Sequence, residues 1–244
     1  MYLMPLQLGN SSMLKKRDLP ICEVIPGITF DLDRIKDEIS KIEESWTDIY
    51  EANPGITNLH EGSFVENAYE NLKEIPLMTL SEEQMQNAND YTIEDLGTSI
   101  RDRIRNKKAK GDNLPPAANE MLWDVPTKEA RDTYFMEVLY DKFKSESCRA
   151  RLHYLAPGKS LAPHIDYDPS YGVRVVCPIQ GTEETTNYFW VKGEVQEYNL
   201  PADGRVWFLN TGFKHAVVNN GTEPRIALLL TLKTQEDIEC LALK

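Results

Sequence analysis

The feature that most constrains the fold is a succession of short apolar segments after residue 146, each ended by turn-forming residues. Alternating or β-branched residues dominate these segments, which occupy 149–155, 173–179, 187–192, 195–200, 204–210, 214–219 and 224–232. The stretches between them include "APGK", "VKGE", "PADG" and "NNGTEP". Several short strands at regular spacing are typical of an antiparallel sandwich or barrel. The sequence therefore predicts a double-stranded β-helix, or jelly-roll barrel, over residues 146–244.

In residues 1–145 the apolar residues recur at helical spacing instead. Apolar residues step by three and four in two stretches, first Leu32, Ile35, Ile39, Ile42, Trp46 and Ile49, then Ile93, Leu96, Ile100 and Ile104. Such steps place them on one face of an amphipathic helix. A third helix is predicted from near Pro126 to about Phe143, because proline is accepted in a first helical turn. We therefore predict an α+β protein in which a mainly helical region, residues 1–145, packs on the barrel.

Charge and cysteine usage limit the partners and the compartment. The chain has 39 acidic and 27 basic residues and a formal net charge of −12, which disfavours binding to nucleic acid or an anionic membrane. Its longest apolar run is too short to span a bilayer, and its first residues lack the order of a secretion signal. The cysteines form no CxxC pair and are predicted to be reduced thiols: Cys22, Cys148, Cys177 and Cys240. We expect a cytoplasmic protein without a nucleic-acid or membrane partner.

The segment "PHIDYD" contains a candidate metal-binding pair, His164 and Asp166. Residues i and i+2 of a strand project from the same face, so the two side chains would point the same way. His215, in another predicted strand, is the natural third ligand, and two histidines with one carboxylate form the facial triad of non-haem Fe(II) oxygenases. The alternative is a solvated pair with a local hydrogen bond. Asp168 competes with Asp166 but is interpreted as a loop residue.

Arg225 follows His215 by ten residues, with the turn signal Asn220-Gly221 between them. A hairpin at this turn would place Arg225 nearly opposite His215. A guanidinium there would pair with the distal carboxylate of a co-substrate that chelates iron at its other end, and 2-oxoglutarate has this shape. The alternative is a surface arginine. We favour the functional role because the start of the apolar strand "IALLLTL" is an unfavourable place for an unpaired arginine.

Three pieces of the sequence resemble the aspartyl/asparaginyl β-hydroxylase family of Fe(II)/2-oxoglutarate oxygenases, which also includes the bacterial proline hydroxylases. The pieces are "RARLHYLAPGKSLAPHID", "VRVVCPI" and "GRVWFLNTGFKHAVVNNGTEPRIALLLTL". The resemblance implies that Arg174 contacts 2-oxoglutarate, and that His153 occupies a position where some members use a polar residue for the same purpose. The alternative for His153 is a packed or surface histidine on a strand. Asp166 makes the chain more similar to the proline-hydroxylase branch, and its presence favours hydroxylation over halogenation.

The function implied is an Fe(II)/2-oxoglutarate-dependent dioxygenase that uses O2 to hydroxylate an unactivated C–H of an amino acid, free or within a peptide. The alternative from another class is a cupin-like metal-binding or sensor domain without turnover. Such a domain would keep the two histidines but need neither Arg174 nor Arg225. Desaturation or epimerisation at the same iron centre is a third interpretation.

Overall fold

The computed structural model describes residues 13–49, 72–87 and 119–243. In it, antiparallel strands form two main sheets. The large sheet has the order β1-β11-β8-β13-β6-β3-β2 and the small sheet the order β10-β9-β12-β7. The strands are β1 Cys22–Thr29, β2 Thr47–Asp48, β3 Leu72–Pro76, β4 Met78–Thr79, β5 Val125–Pro126, β6 Ser147–Leu155, β7 Ser160–His164, β8 Val173–Gln180, β9 Thr185–Val191, β10 Glu194–Tyr198, β11 Arg205–Leu209, β12 Lys214–Asn219 and β13 Arg225–Leu232.

The eight strands from β6 to β13 form a double-stranded β-helix. The chain alternates between the sheets, with β6, β8, β11 and β13 in the large one and β7, β9, β10 and β12 in the small one. Apolar clusters join the two sheets, since Val176 of the large sheet packs with Phe189 of the small one. The predicted jelly roll is confirmed. Each of the seven predicted segments coincides with a strand to within two residues, and of the eight strands from β6 to β13 only β7 was not predicted.

The prediction of a mainly helical N-terminal region is wrong for the described residues. They contain three α-helices, α1 Leu32–Lys41, α2 Glu82–Asn87 and α3 Tyr134–Tyr140. The first predicted helix stops at Lys41, and residues 47–48 form β2 instead of continuing it. Strands β1 and β3 extend the large sheet, because they satisfy the free edges of β11 and β6 with backbone hydrogen bonds. The helix predicted around Ile93–Ile104 lies outside the described residues, and the domain division at residue 146 stays a prediction.

The main hydrophobic core lies on the outer face of the large sheet. Ile35 of α1 and Phe135 of α3 are fully buried there against sheet residues such as Leu152 and Leu228. Residues on the opposite face of each strand point towards the small sheet. The helices therefore pack on the outer face of the large sheet. Its inner face, which points towards the small sheet, is available for polar side chains.

The hairpin predicted around Asn220-Gly221 is also wrong. β12 belongs to the small sheet and β13 to the large one, so His215 does not pair with Arg225. His215 is paired with His164 of β7, and Arg225 with Leu155 of β6. The turn at Asn220-Gly221 instead connects β12 of the small sheet to β13 of the large sheet.

Within the described residues, no helix has the length and apolar character needed to cross a membrane.

Candidate metal centre

Strand pairing brings the two predicted histidines together. His164 is the last residue of β7, and its antiparallel partner on β12 is His215. Their ring centroids are 4.2 Å apart, and the ring of Phe189 stacks on His215 with its centroid at 5.6 Å. Directly opposed residues of antiparallel strands have neighbouring side chains. The register of β7 against β12 is therefore what assembles the site.

Asp166 completes the candidate triad from just beyond the end of β7. Its backbone N–H donates to the carbonyl of Thr211, which holds the chain there in place of a strand partner. The Asp166 carboxylate lies 3.4 Å from Nε2 of His164 and 4.0 Å from Nε2 of His215. One ligand atom from each residue lies within 4.8 Å of the others, a spacing suited to a single metal ion.

Both histidine rings are oriented by backbone carbonyls. Nδ1 of His164 is 2.7 Å from the carbonyl oxygen of Ala162, and Nδ1 of His215 is 3.0 Å from that of Phe213. A ring that donates its Nδ1–H to a carbonyl keeps a lone pair on Nε2, and this arrangement is typical of metal-binding histidines. The two Nε2 atoms nearest Asp166 are therefore the ones available to a metal ion.

The local electrostatics favour the protonation states that a metal ion requires. Burial raises the pKa of Asp166, but the charges of His164 and Arg174 outweigh burial and hold this pKa well below its usual range. Burial and the neighbouring His164 lower the pKa of His215 to about 4. At neutral pH the site thus has an ionised carboxylate and a neutral His215, which are the ligand forms that bind divalent metals.

Arg174 lies beside the triad and is paired with a carboxylate that the sequence analysis did not identify. Its Nη2 lies 3.5 Å from Asp166 and 3.1 and 3.0 Å from the two carboxylate oxygens of Glu120. Burial lowers the pKa of Arg174, but the charges of Glu120 and Asp166 raise it by more than burial lowers it. The guanidinium of Arg174 therefore stays charged. Its Nη1 is buried without a hydrogen-bond partner among the described residues.

Arg225 and His153 form a second buried group. Arg225 is only 4% exposed, its Nη1 lies 3.5 Å from Nδ1 of His153, and no carboxylate of the described residues pairs with it. Burial lowers the pKa of Arg225 to about 10, so it remains charged at neutral pH. Burial and the charge of Arg225 keep the pKa of His153 well below its ordinary value, and His164 also acts on it. His153 is therefore neutral, and its Nε2 lies 3.7 Å from a carboxylate oxygen of Glu74.

A buried ionic network on β3 and β6 was also missed. Glu74 is 2.9 Å from Nε of Arg151 and 4.0 Å from Nη2 of Arg149, whose guanidinium lies over the Trp123 ring at 4.0 Å. Arg149, Arg151 and His153 alternate in the predicted strand 149–155, so their shared face was readable from the sequence. The partner Glu74 was not, because residues 72–76 show no strand signal of that kind.

Asp168, which the sequence predicts to be a loop residue, and the buried Trp123 have structural roles. Asp168 accepts a hydrogen bond from the backbone N–H of Ser170 at 3.0 Å and shapes the loop after the triad. Trp123 is 2% exposed and packs with Leu80. Neither contributes to the candidate triad.

The fold and the site together define a double-stranded β-helix protein with a candidate His/Asp/His metal centre. The family described as Aspartyl/Asparaginyl beta-hydroxylase matches residues 123–234, a little under half of the chain. This match supports the family resemblance and suggests a hydroxylase of the oxygenase type. It includes the triad, Arg174, Arg225 and His153 and begins three residues after Glu120.

Comparison with other proteins adds only distant likenesses. No curated protein sequence matches the chain. A cupin domain from Bordetella pertussis Tohama I is 15% identical with a TM-score of 0.29, over 38% of this chain and 88% of that one. A protein with a double-stranded β-helix domain from Klebsiella pneumoniae is 20% identical with a TM-score of 0.27, over 37% of this chain and 70% of that one. Bacillus subtilis oxalate decarboxylase is 20% identical with a TM-score of 0.29, over 40% of this chain and 24% of that one. Similarities at this level support no conclusion about function.

Proposed function

We propose that this protein is an Fe(II)/2-oxoglutarate-dependent dioxygenase that hydroxylates an unactivated C–H of an amino acid, free or within a peptide. His164, Asp166 and His215 are the proposed iron ligands. Arg225, with Arg174 and His153, is proposed to bind 2-oxoglutarate. The observation that carries most weight is the pairing of a His/Asp/His triad with a buried arginine that has no carboxylate partner among the described residues.

The residues of the triad fit an Fe(II) ion. Two imidazole nitrogens and one carboxylate suit non-haem iron and leave coordination positions for other ligands. Each imidazole is held by a backbone carbonyl through Nδ1, so little reorganisation is needed when Nε2 binds. Phe189 stacks on His215 and restricts the motion of that ring.

Arg225 supports the choice of 2-oxoglutarate as co-substrate. A buried guanidinium without a counter-charge is unfavourable unless a ligand supplies the anion. The distal carboxylate of a dicarboxylic keto acid is such an anion, and the fork of Arg225 suits it geometrically. His153 accepts from Arg225 through Nδ1 and so helps to orient the guanidinium.

When bound, Fe(II), 2-oxoglutarate and O2 supply the oxidising chemistry, which yields succinate, CO2 and a hydroxylated product. The protein's own residues bind and orient these groups: the triad holds the metal and Arg225 the keto acid. Arg174 contacts the Asp166 carboxylate through Nη2 at 3.5 Å. These roles require the pKa of Asp166 to stay low, which the surrounding cations ensure.

The carboxylate ligand also bears on the kind of reaction and the branch of the family. Asp166 favours hydroxylation, and with it the proline-hydroxylase branch, so we propose an amino acid, free or within a peptide, as substrate. The acidic charge of −12 argues against nucleic-acid or membrane partners, and the reduced thiols suit a cytoplasmic location.

A substrate screen tests the proposal. The twenty amino acids and short peptides are incubated with the iron-loaded protein, 2-oxoglutarate and O2, and succinate release is measured with mass spectrometry of the products. We expect one substrate class to stimulate succinate release and to gain one oxygen atom, and His215→Ala to abolish both. An iron-loaded protein that binds 2-oxoglutarate but turns over nothing in the screen would support the cupin-like sensor instead.

A further inference from the structure

Glu120 contacts the candidate metal centre through Arg174. It is the first residue of a short 3-10 helix, Glu120–Leu122, that precedes the barrel. Both of its carboxylate oxygens accept from Nη2 of Arg174, at 3.1 and 3.0 Å, and one also accepts from the Thr231 hydroxyl at 2.9 Å. Burial raises the pKa of Glu120, but the charges of Arg174, Arg151 and Arg149 together outweigh burial and lower this pKa, so the carboxylate is ionised.

The position of Glu120 is fixed by contacts on both sides of it. The Asn119 side chain accepts from the backbone N–H of Met121 at 3.2 Å and from the Tyr171 hydroxyl at 2.9 Å. The backbone N–H of Arg149 donates to the carbonyl of Trp123 at 2.7 Å. These bonds tie the 3-10 helix to the loop before β8 and to β6.

A glycine permits the close approach of this helix. A Cβ added at Gly172 would lie 2.6 Å from the Met121 methyl and 2.8 Å from the Thr231 methyl, closer than real contacts of that kind. Glycine at this position lets the 3-10 helix and β13 pack together beside β8. Glu120 is therefore placed by tertiary packing and not by a flexible loop.

The Arg174 guanidinium lies closer to the Glu120 carboxylate than to the Asp166 carboxylate. Glu120 receives the two shorter contacts of Nη2, whereas Asp166 receives one at 3.5 Å. Guanidinium and carboxylate groups prefer a bidentate pair when both are free to form one. Without Glu120, Asp166 would be the nearest carboxylate to this guanidinium among the described residues, and a bidentate pair would engage the oxygens that a metal ion requires.

We propose that Glu120 is a positioning residue that holds the Arg174 guanidinium partly away from Asp166 and so keeps this carboxylate available as a metal ligand. The inference rests on the metal site of the proposed function. It assigns a role to a residue outside the matched segment 123–234.

Metal affinity tests the role without requiring turnover. The probe is Mn(II), a redox-stable substitute, titrated calorimetrically into the metal-free protein. Glu120→Gln should weaken Mn(II) binding by about tenfold or more, the usual cost of losing a group that orients a metal ligand. Asp124→Asn is the matched control, because Asp124 is close in sequence but pairs with Lys233 at 2.8 Å. This control should bind Mn(II) like the parent.

A double-mutant cycle separates positioning from a direct effect of charge. If Glu120 acts through Arg174, the loss caused by Glu120→Gln should largely disappear in an Arg174→Gln background. An equal loss in both backgrounds would mean that the carboxylate acts on the metal directly and would overturn the positioning role. If Glu120→Gln does not fold, Thr231→Val removes one hydrogen bond to Glu120 and should weaken Mn(II) binding in the same direction, by a smaller factor.

The outcomes distinguish this inference from the proposed function. A parent protein that binds no Mn(II) and no Fe(II) would contradict the metal site itself. A parent that binds Mn(II), with Glu120→Gln and Thr231→Val binding it equally well, would overturn the role of Glu120 and leave the metal site intact.

Discussion

At the scale of single residues, the sharpest prediction concerns Arg225. Arg225→Ala should weaken 2-oxoglutarate binding by about thirty-fold or more, because truncating one partner of a desolvated ion pair costs about 2–5 kcal/mol. Mn(II) affinity without 2-oxoglutarate should barely change, since Arg225 belongs to no metal ligand set. Arg225→Lys should recover only part of the loss, because lysine keeps the charge but not the fork.

Titration of 2-oxoglutarate into the metal-loaded variants measures this effect. Arg205→Ala is a suitable control, because Arg205 is exposed and paired with Asp203 on the surface. Equal 2-oxoglutarate affinity in Arg225→Ala and the parent would remove the main reason to prefer an oxygenase over a metal-binding cupin.

The cysteines provide a second test at this scale. Burial raises the pKa of Cys22, Cys148 and Cys177 to about 12, whereas Cys240 is exposed. The thiolate is the reactive form, so only Cys240 should be alkylated quickly by iodoacetamide at pH 8. Peptide mapping by mass spectrometry identifies the labelled thiol. Rapid labelling of the three buried cysteines in the folded protein would show that these thiols are accessible and contradict their burial.

The residues of the site differ in how far the sequence could predict them. His164, Asp166 and His215 were predicted by residue type and strand spacing, and the structure brings them together. Glu120 could not be predicted, since a buried arginine requires a counter-charge but 39 acidic residues offer no means of choosing among them. The packing and hydrogen bonds that hold the 3-10 helix against the barrel place Glu120 in that role.

At the scale of elements, the N-terminus of α1 offers a clean test of local stability. The Asp31 carboxylate accepts from the backbone N–H groups of Asp33 and Arg34, both at 3.1 Å. Removing such a cap costs about 1 kcal/mol, so Asp31→Ala should lower the free energy of unfolding by that amount. Urea denaturation measures it. Asp37→Ala, on the exposed side of the same helix, should cost less than half as much.

The strands of the barrel were predictable because their alternation and turn residues are local signals. Their sheet membership was not, because the crossing from β12 to β13 depends on closure of the whole barrel. β1 was missed for a related reason: "CEVIPGIT" contains proline and glycine, which argue against a strand. It forms one here at the edge of the large sheet, where the free edge of β11 supplies its hydrogen bonds.

At the scale of the whole molecule, buried ion pairs should make stability depend on pH. The pKa of Glu120 is lower in the folded protein than its usual value, because Arg174, Arg151 and Arg149 together outweigh the effect of burial. Such a carboxyl stabilises the fold above its unfolded pKa of about 4.3, and this contribution is lost as the pH falls through the lower folded pKa. The free energy of unfolding of the metal-free protein should therefore decrease on acidification below about pH 5.

Glu120→Gln should show a shallower decrease over the same interval, because it lacks the group whose protonation is linked to unfolding. Urea denaturation at a series of pH values measures both slopes. An identical pH dependence in the variant and the parent would mean that Glu120 contributes little to acid sensitivity.

The central claim is that the triad holds iron together with a chelating keto acid. The most direct measurement is the visible spectrum after anaerobic addition of Fe(II) and 2-oxoglutarate to the parent and to His215→Ala. The account predicts a weak charge-transfer band in the parent and its loss in the variant. A band of equal strength in His215→Ala, or none in the parent when both ligands are bound, would contradict it.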